Sequence, residues 1–319
     1  MPLDPERRMA MRYFDLHCDT ITQCFTQNKD LTENDLQIDL KRAEFLDAYT
    51  QCYAVWLPDQ FRGQAAFERF FAVATYLSQE IEKNSNSICW QNSVDNLSQN
   101  PCQAVLTVEN ASALGGNIEN VEVFRRLGVK LCSLTWNGEN ELGRGVMSPG
   151  NTGITPFGRE VVAQLEKNEI CIDISHASPE LFWDVISIAE RPVVATHSNA
   201  KHVCAHPRNL TDQQFEAIKV SEGLVGLNLY RGFLNDDSQK ASYEDILRHT
   251  EHFLNLGGED ILAFGADWDG SARRDFVATG IEAVAELYEM FCRYNYSETL
   301  IDKIFYKNAA DFFERQKSH

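Results

Sequence analysis

Residue types that hold metals or move protons stand just past five short apolar runs of this chain. Residues 13–16 lead into His17-Cys18-Asp19, 103–108 into Glu109, 170–174 (with Asp173) into His176, 192–196 into His197, and 261–266 into Asp267 and Asp269. Alternate side chains of a strand share a face, so His17 and Asp19 look at one spot. A lone His-x-Asp is common by chance, and the coincidence of the strand ends carries the reading. Three histidines with Asp19, Glu109 and Asp267 supply about the donors that two divalent cations need, one carboxylate bridging and open positions left to water. Zinc suits imidazole and carboxylate ligands first, with manganese, cobalt or iron as alternatives.

These residues meet only if the runs are parallel strands ending on one face. Eight runs qualify, 13–16, 49–56, 103–108, 130–136, 170–174, 192–196, 223–230 and 261–266, and between them lie amphipathic stretches at 66–82, 121–127, 157–167, 178–188, 212–220 and 243–256. That rhythm predicts an α/β fold, a (β/α)8 TIM barrel of the metal-dependent hydrolase type, with its chemistry at the C-terminal ends of the strands. Residues 280–316 read as helical throughout and are expected to close the outer layer of a single domain, 1–319. The polar, Gly-rich stretch 137–155 is of a length that usually shapes an active face.

Composition narrows the partners. With 44% hydrophobic residues in 319, the chain can bury a large core, and its net charge of −18 repels phosphate backbones and anionic lipid, so neither nucleic acid nor a membrane surface is an expected partner. No apolar run approaches the ~20 residues that span a bilayer, and residues 1–11 lack the apolar segment of a secretory signal. A cytoplasmic location is expected. The nine cysteines form no C-x-x-C pair and point to neither a disulfide framework nor a thiolate zinc site.

Taken together, His17-Cys18-Asp19, Val108-Glu109-Asn110, Asp173-Ile174-Ser175-His176, Thr196-His197-Ser198-Asn199-Ala200, Arg208-Asn209-Leu210 and Gly265-Ala266-Asp267-Trp268-Asp269-Gly270 resemble the renal or membrane dipeptidases, zinc metallopeptidases with a TIM-barrel fold. The resemblance runs over nearly the whole chain. It implies two Zn2+ per chain, one held by His17, Asp19 and Glu109, the other by Glu109, His176 and His197. It also implies hydrolysis of a small dipeptide through a metal-bridging hydroxide, Asp267 as acid and base, Arg208 on the substrate's C-terminal carboxylate, and a homodimer. Both roles suit the chemistry, since a carboxylate can accept and return a proton and a guanidinium binds a carboxylate bidentately. The family has a histidine after the fourth strand that touches the scissile carbonyl; here Trp136 stands in its place, followed by Asn137. Either can supply one N–H to an oxyanion, or Trp136 can serve as an aromatic wall. Two rival readings are a barrel hydrolase of the same chemistry acting on a lactam or an N-acyl amino acid, and a metal-binding scaffold without turnover. The presence of Asp267 and Arg208 beside a full ligand set argues against the second.

Other ligand-type residues read as structural. Cys18 faces away from its neighbours and packs as a small hydrophobe. His202 and His206 have helical metal spacing, but Pro207 follows at once, so loop or surface roles are expected. His249 and His252 read as solvated or core-edge, Asp269-Gly270 as a turn, and Asp173 as a brace for the neighbouring imidazoles.

Overall fold

The computed structural model describes residues 11–91 and 102–316, so the reading of the N-terminus lies, Met11 apart, outside the described residues. Strands β1 (Arg12–Cys18), β2 (Ala48–Trp56), β3 (Ile88–Trp90), β4 (Cys102–Glu109), β5 (Val129–Ser133), β6 (Cys171–Asp173), β7 (Val193–Val194), β8 (Val225–Leu227) and β9 (Leu262–Phe264) form one parallel sheet in the order β7-β6-β5-β4-β2-β1-β9-β8. A parallel bridge from Ala195 to Val225, with Gly226 N–H donating to Ala195 O at 2.8 Å, joins the two ends into a barrel. β3 lies off this ring, pairing with β4 at residues 102–104 before β5 takes over that edge. It is not among the expected strands, because three residues carry no readable period.

Helices α1 (Thr20–Gln27), α2 (Gly63–Lys83), α3 (Asn120–Leu127), α4 (Pro156–Lys167), α5 (Pro179–Ile188), α6 (Asp212–Val220), α7 (Arg231–Leu234), α8 (Tyr243–Asn255), α9 (Ala283–Arg293), α10 (Glu298–Asp302) and α11 (Asn308–Arg315) account for most of the rest. The starts of α4, α5 and α6 fall within one residue of expectation, because each carries a capping hydroxyl, Thr155, Ser178 or Thr211, that accepts a first-turn N–H. α1 starts directly after Asp19 and was not foreseen. No described helix is long and apolar enough to cross a membrane.

The stretch 280–316 is not one continuous helix. It breaks after α9, where Asn295 adopts a left-handed φ of 60°, and restarts when Ser297 caps α10; residues Lys303–Lys307 then form a π-helical turn ahead of α11. α11 does more than cover the outside. Its Ala309, Phe312 and Phe313 form one buried cluster with Leu16, Cys52, Val105, Leu131, Cys171, Val194, Leu224 and Ala263, which come from the barrel strands or the residue preceding one, and Phe313 stacks on Phe14 at 5.2 Å. The N-terminal end of the barrel is thereby plugged with hydrocarbon. The opposite end is left for polar side chains.

Candidate metal centre

At that opposite end, His17, Asp19, Glu109, His176 and His197 are all buried, with 1–6% of their surface exposed. Glu109 sits between two groups of donors. Its Oε1 lies 2.8 Å from His176 Nε2 and 3.9 Å from His197 Nε2, while its Oε2 lies 3.5 Å from His17 Nε2. His17 Nε2 is in turn 3.8 Å from Asp19 Oδ2 and 3.8 Å from Asp267 Oδ1. Cys18 between them pairs with Trp268 and is buried in the apolar core, on the side expected.

Two of the imidazoles are aimed by partners on their outer nitrogens. Thr196 Oγ1 donates its only proton to Asp173 Oδ2 at 2.6 Å, so its 2.8 Å contact with His197 Nδ1 requires that Nδ1 be the donor. His197 then turns a bare Nε2 to the cluster. Asp173 is thus the expected brace, acting through Thr196, and its Oδ1 also accepts from Ser175 N, Ser175 Oγ and Thr196 N. His176 Nδ1 meets Asn137 Oδ1 at 3.2 Å, which fixes its ring in the same sense. Burial, joined by the charge of Arg208, holds His176 down to about 4; burial and the charge of His17 hold His197 well below the usual value. Both shifts favour the neutral ring, the form a metal requires.

The donor set fits a divalent cation. Two donors on one ion at ~2.0–2.2 Å stand roughly 3–3.5 Å apart, near the spacing of the His176, His197 and Glu109 atoms and of His17 with Glu109. His17 Nε2 and Asp19 Oδ1 are buried with no hydrogen-bond partner, which is costly unless something else satisfies them. Burial and the nearby Glu109 push Asp19 up to about 8, burial raises Asp267 to about 6, and His17, despite its own burial, is held well above normal by Glu109 and Asp19. The pocket crowds carboxylates together, and a divalent cation held there would offset their charge.

Asp267 follows β9 with a left-handed φ of 63°. Its Oδ2 accepts from Asn228 Nδ2 at 2.9 Å, which leaves Oδ1 toward the cluster. Asn228 was not foreseen; nothing in its sequence neighbourhood marks it, because it acts on Asp267 from a different strand end. Asp269 is spent on architecture, as expected: it accepts from Thr20 Oγ1 at 2.5 Å and Gln37 N at 2.9 Å. Gly270 is needed where it stands, since a methyl there would lie 2.6 Å from Asp267 Oδ1 and 2.7 Å from Asp19 Oδ2.

A cavity of about 330 Å³ opens over these groups, and Asp19, Glu109, His176 and Asp267 form its polar floor. Arg208 reaches it from the loop after β7. Its Nη2 donates to His197 O at 3.3 Å, while its Nε and Nη1 are buried without a partner. Trp136 lines the wall, edge-to-face with Trp56 at 5.1 Å and near His176, so it serves at least as the aromatic wall that was one of its expected roles. Asn137 lines the cavity too, with its amide oxygen engaged by His176.

His206 sits in a loop, as expected, half-buried and lining the cavity with Phe233 and Tyr230. One histidine expectation changes. His249 is neither solvated nor at the core edge; it is fully buried, accepting from Ala200 N at 3.0 Å with its Nε2 3.0 Å from Leu234 O. His202, Asp212 and His252 cluster at the surface, but the two rings stack nearly parallel, 8° apart at 4.6 Å, and so cannot share an ion lying in both ring planes.

A closed parallel barrel whose strand ends gather imidazoles and carboxylates under one cavity has the architecture of a metal-dependent hydrolase. The model of the membrane dipeptidase family, Peptidase family M19, matches residues 8–317, and the chain belongs to that metallo-dipeptidase family. A Klebsiella pneumoniae protein encoded in the pqqA 5′ region and called uncharacterized is 34% identical over 213 residues, covering 64% of this chain and 78% of that one. Dipeptidase tcpJ of Claviceps purpurea is 29% identical over 171 residues; the match covers 53% of this chain and 40% of the relative. Among solved structures, a Rhodobacter sphaeroides metallopeptidase liganded with a phosphinate mimic of the dipeptide L-Ala-D-Ala superposes with a TM-score of 0.86 at 25% identity, covering 97% of this chain and 100% of that one.

Proposed function

We propose that this protein is a dinuclear zinc dipeptidase, with His17, Asp19 and Glu109 holding one ion and Glu109, His176 and His197 the other. The observation that carries the reading is the division of the two Glu109 oxygens between the two donor groups. When bound, such ions polarise the scissile carbonyl and activate a water for attack. The chain's own residues do the rest. Asp267 takes the proton of the attacking water on Oδ1 and returns it to the leaving amine, while Asn228 keeps the other oxygen fixed. Arg208 pairs its free Nε and Nη1 with the substrate's terminal carboxylate, which limits substrates to those ending within the cavity. The reading takes residues 1–319 as one domain that works in the cytoplasm, which the nine free cysteines support, and as a homodimer, which rests on the family likeness. A screen of zinc-loaded protein against dipeptides and N-acyl amino acids tests it; turnover of the second class alone would favour the broader amidohydrolase.

Arg208→Ala should lower kcat/KM for free dipeptides by a cost of ~1.5–3 kcal/mol, the usual loss for a charge-assisted contact. C-terminally amidated dipeptides should be poor substrates of the parent and little changed in the variant. Equal cleavage of acid and amide forms by the parent would remove Arg208 from this role.

Trp136 and Asn137 separate under mutation. We assign Trp136 the oxyanion donor, so Trp136→Phe should keep full metal and lose up to ~10² in kcat. Asn137 braces His176, so Asn137→Ala should weaken metal binding about 10–100-fold and recover turnover in excess zinc. Parental kcat in Trp136→Phe would leave the oxyanion to the metals.

A further inference from the structure

We propose that His206 is a second donor to the substrate's terminal carboxylate, beside Arg208, and thus a specificity-determining residue of this cavity. The proposal rests on the dipeptide reading above. His206 lies two residues before Arg208, and both line the cavity. Phe233 serves as a common platform: the His206 ring packs on it at 4.6 Å and the Arg208 guanidinium lies over it at 5.3 Å. One aromatic ring thereby contacts both donor-bearing side chains.

The tautomer follows from the backbone. Arg208 N–H donates to His206 Nδ1 at 3.2 Å, so Nδ1 carries no proton. Burial, joined by the charges of Arg208 and Lys201, holds the ring below its usual value and neutral. A neutral imidazole whose Nδ1 accepts must carry its proton on Nε2. That N–H is the one donor His206 has left for the cavity it lines. A carboxylate has about four acceptor positions, so it can take the free Nε and Nη1 of Arg208 and still accept from a neighbouring imidazole.

The competing account is that His206 only closes the turn through Nδ1. Two substitutions separate them. In His206→Asn the side-chain oxygen stands where Nδ1 stood and can accept from Arg208 N–H, but nothing replaces Nε2. In His206→Gln the amide reaches the Nε2 position and the turn acceptor is lost. The readouts are KM and kcat of the zinc-loaded enzyme for a dipeptide and its C-terminal amide, and calorimetric binding of a phosphinate dipeptide mimic. The acid-to-amide ratio is independent of the fraction of protein folded.

The clamp predicts that His206→Asn raises KM for the free acid and weakens the mimic about tenfold, with kcat within about twofold and the amide unmoved. His206→Gln should recover most of that loss. Damage confined to His206→Gln, equal loss for acid and amide, or an unmoved ratio in both variants would each overturn the clamp. A parent that cleaves no dipeptide would sink the dipeptide reading itself, whereas a parent active on dipeptides with an unmoved ratio would sink only the role of His206.

Discussion

Asp267→Asn is expected to keep the parental metal content and lose roughly 10²–10⁴ in kcat, the range that general acid–base groups contribute. The amide is nearly the same size as the carboxylate and can still meet Asn228, but it cannot accept a proton from water. The site is built so that this proton transfer is the main thing lost. Asn228 fixes one oxygen, and the other lies 3.8 Å from His17 Nε2, facing the cluster. The left-handed backbone at Asp267 is tolerated by asparagine as readily as by aspartate, so the fold should not respond. Metal analysis together with kcat decides the matter: near-parental turnover would take Asp267 out of the mechanism, and a collapse of metal content would make it a ligand instead. The substitution Asn228→Ala should reproduce part of the loss by freeing the carboxylate to rotate.

The cluster of donor-type residues at the strand ends could be read from the sequence because these residues stand where strand periodicity stops. His17 lies near the end of β1 and Asp19 just beyond it, at the start of α1, so both stand where the apolar run stops. Groups that act across the barrel were hidden. Asn228 reaches Asp267 from another strand end, and Phe233 orders Arg208 and His206 from the short helix α7, none of which leaves a local pattern. His206 is the loop residue it was expected to be, but its contact with the backbone two residues away and its place in the cavity left no pattern in the sequence. Fold errors have a similar origin. β3 is too short to show a period, and the π-turn and Asn295 interrupt a stretch whose apolar content is helical on average. The role of α11 was misjudged because an amphipathic pattern reveals a buried face but not which surface it is buried against; Phe312 and Phe313 plug the barrel end.

The largest expected effect belongs to Glu109→Ala, which should reduce bound zinc in both sites and bring turnover to the level of the metal-free protein. A ligand confined to one site would cost one ion. Glu109 presents Oε1 to His176 and His197 and Oε2 to His17, so its removal strips a donor from each group. The change should also be visible without any substrate. A metal that binds the folded state raises its melting temperature by mass action, and that rise should be large in the parent and mostly absent in Glu109→Ala at equal zinc. Glu109→Gln refines the test: its amide oxygen can still face one donor group but its nitrogen cannot bind an ion, so one site should survive better than the other. Two fully occupied sites in Glu109→Ala would show that the carboxylate does not bridge, and the division of its oxygens would then be a hydrogen-bonding arrangement around His17 and His176.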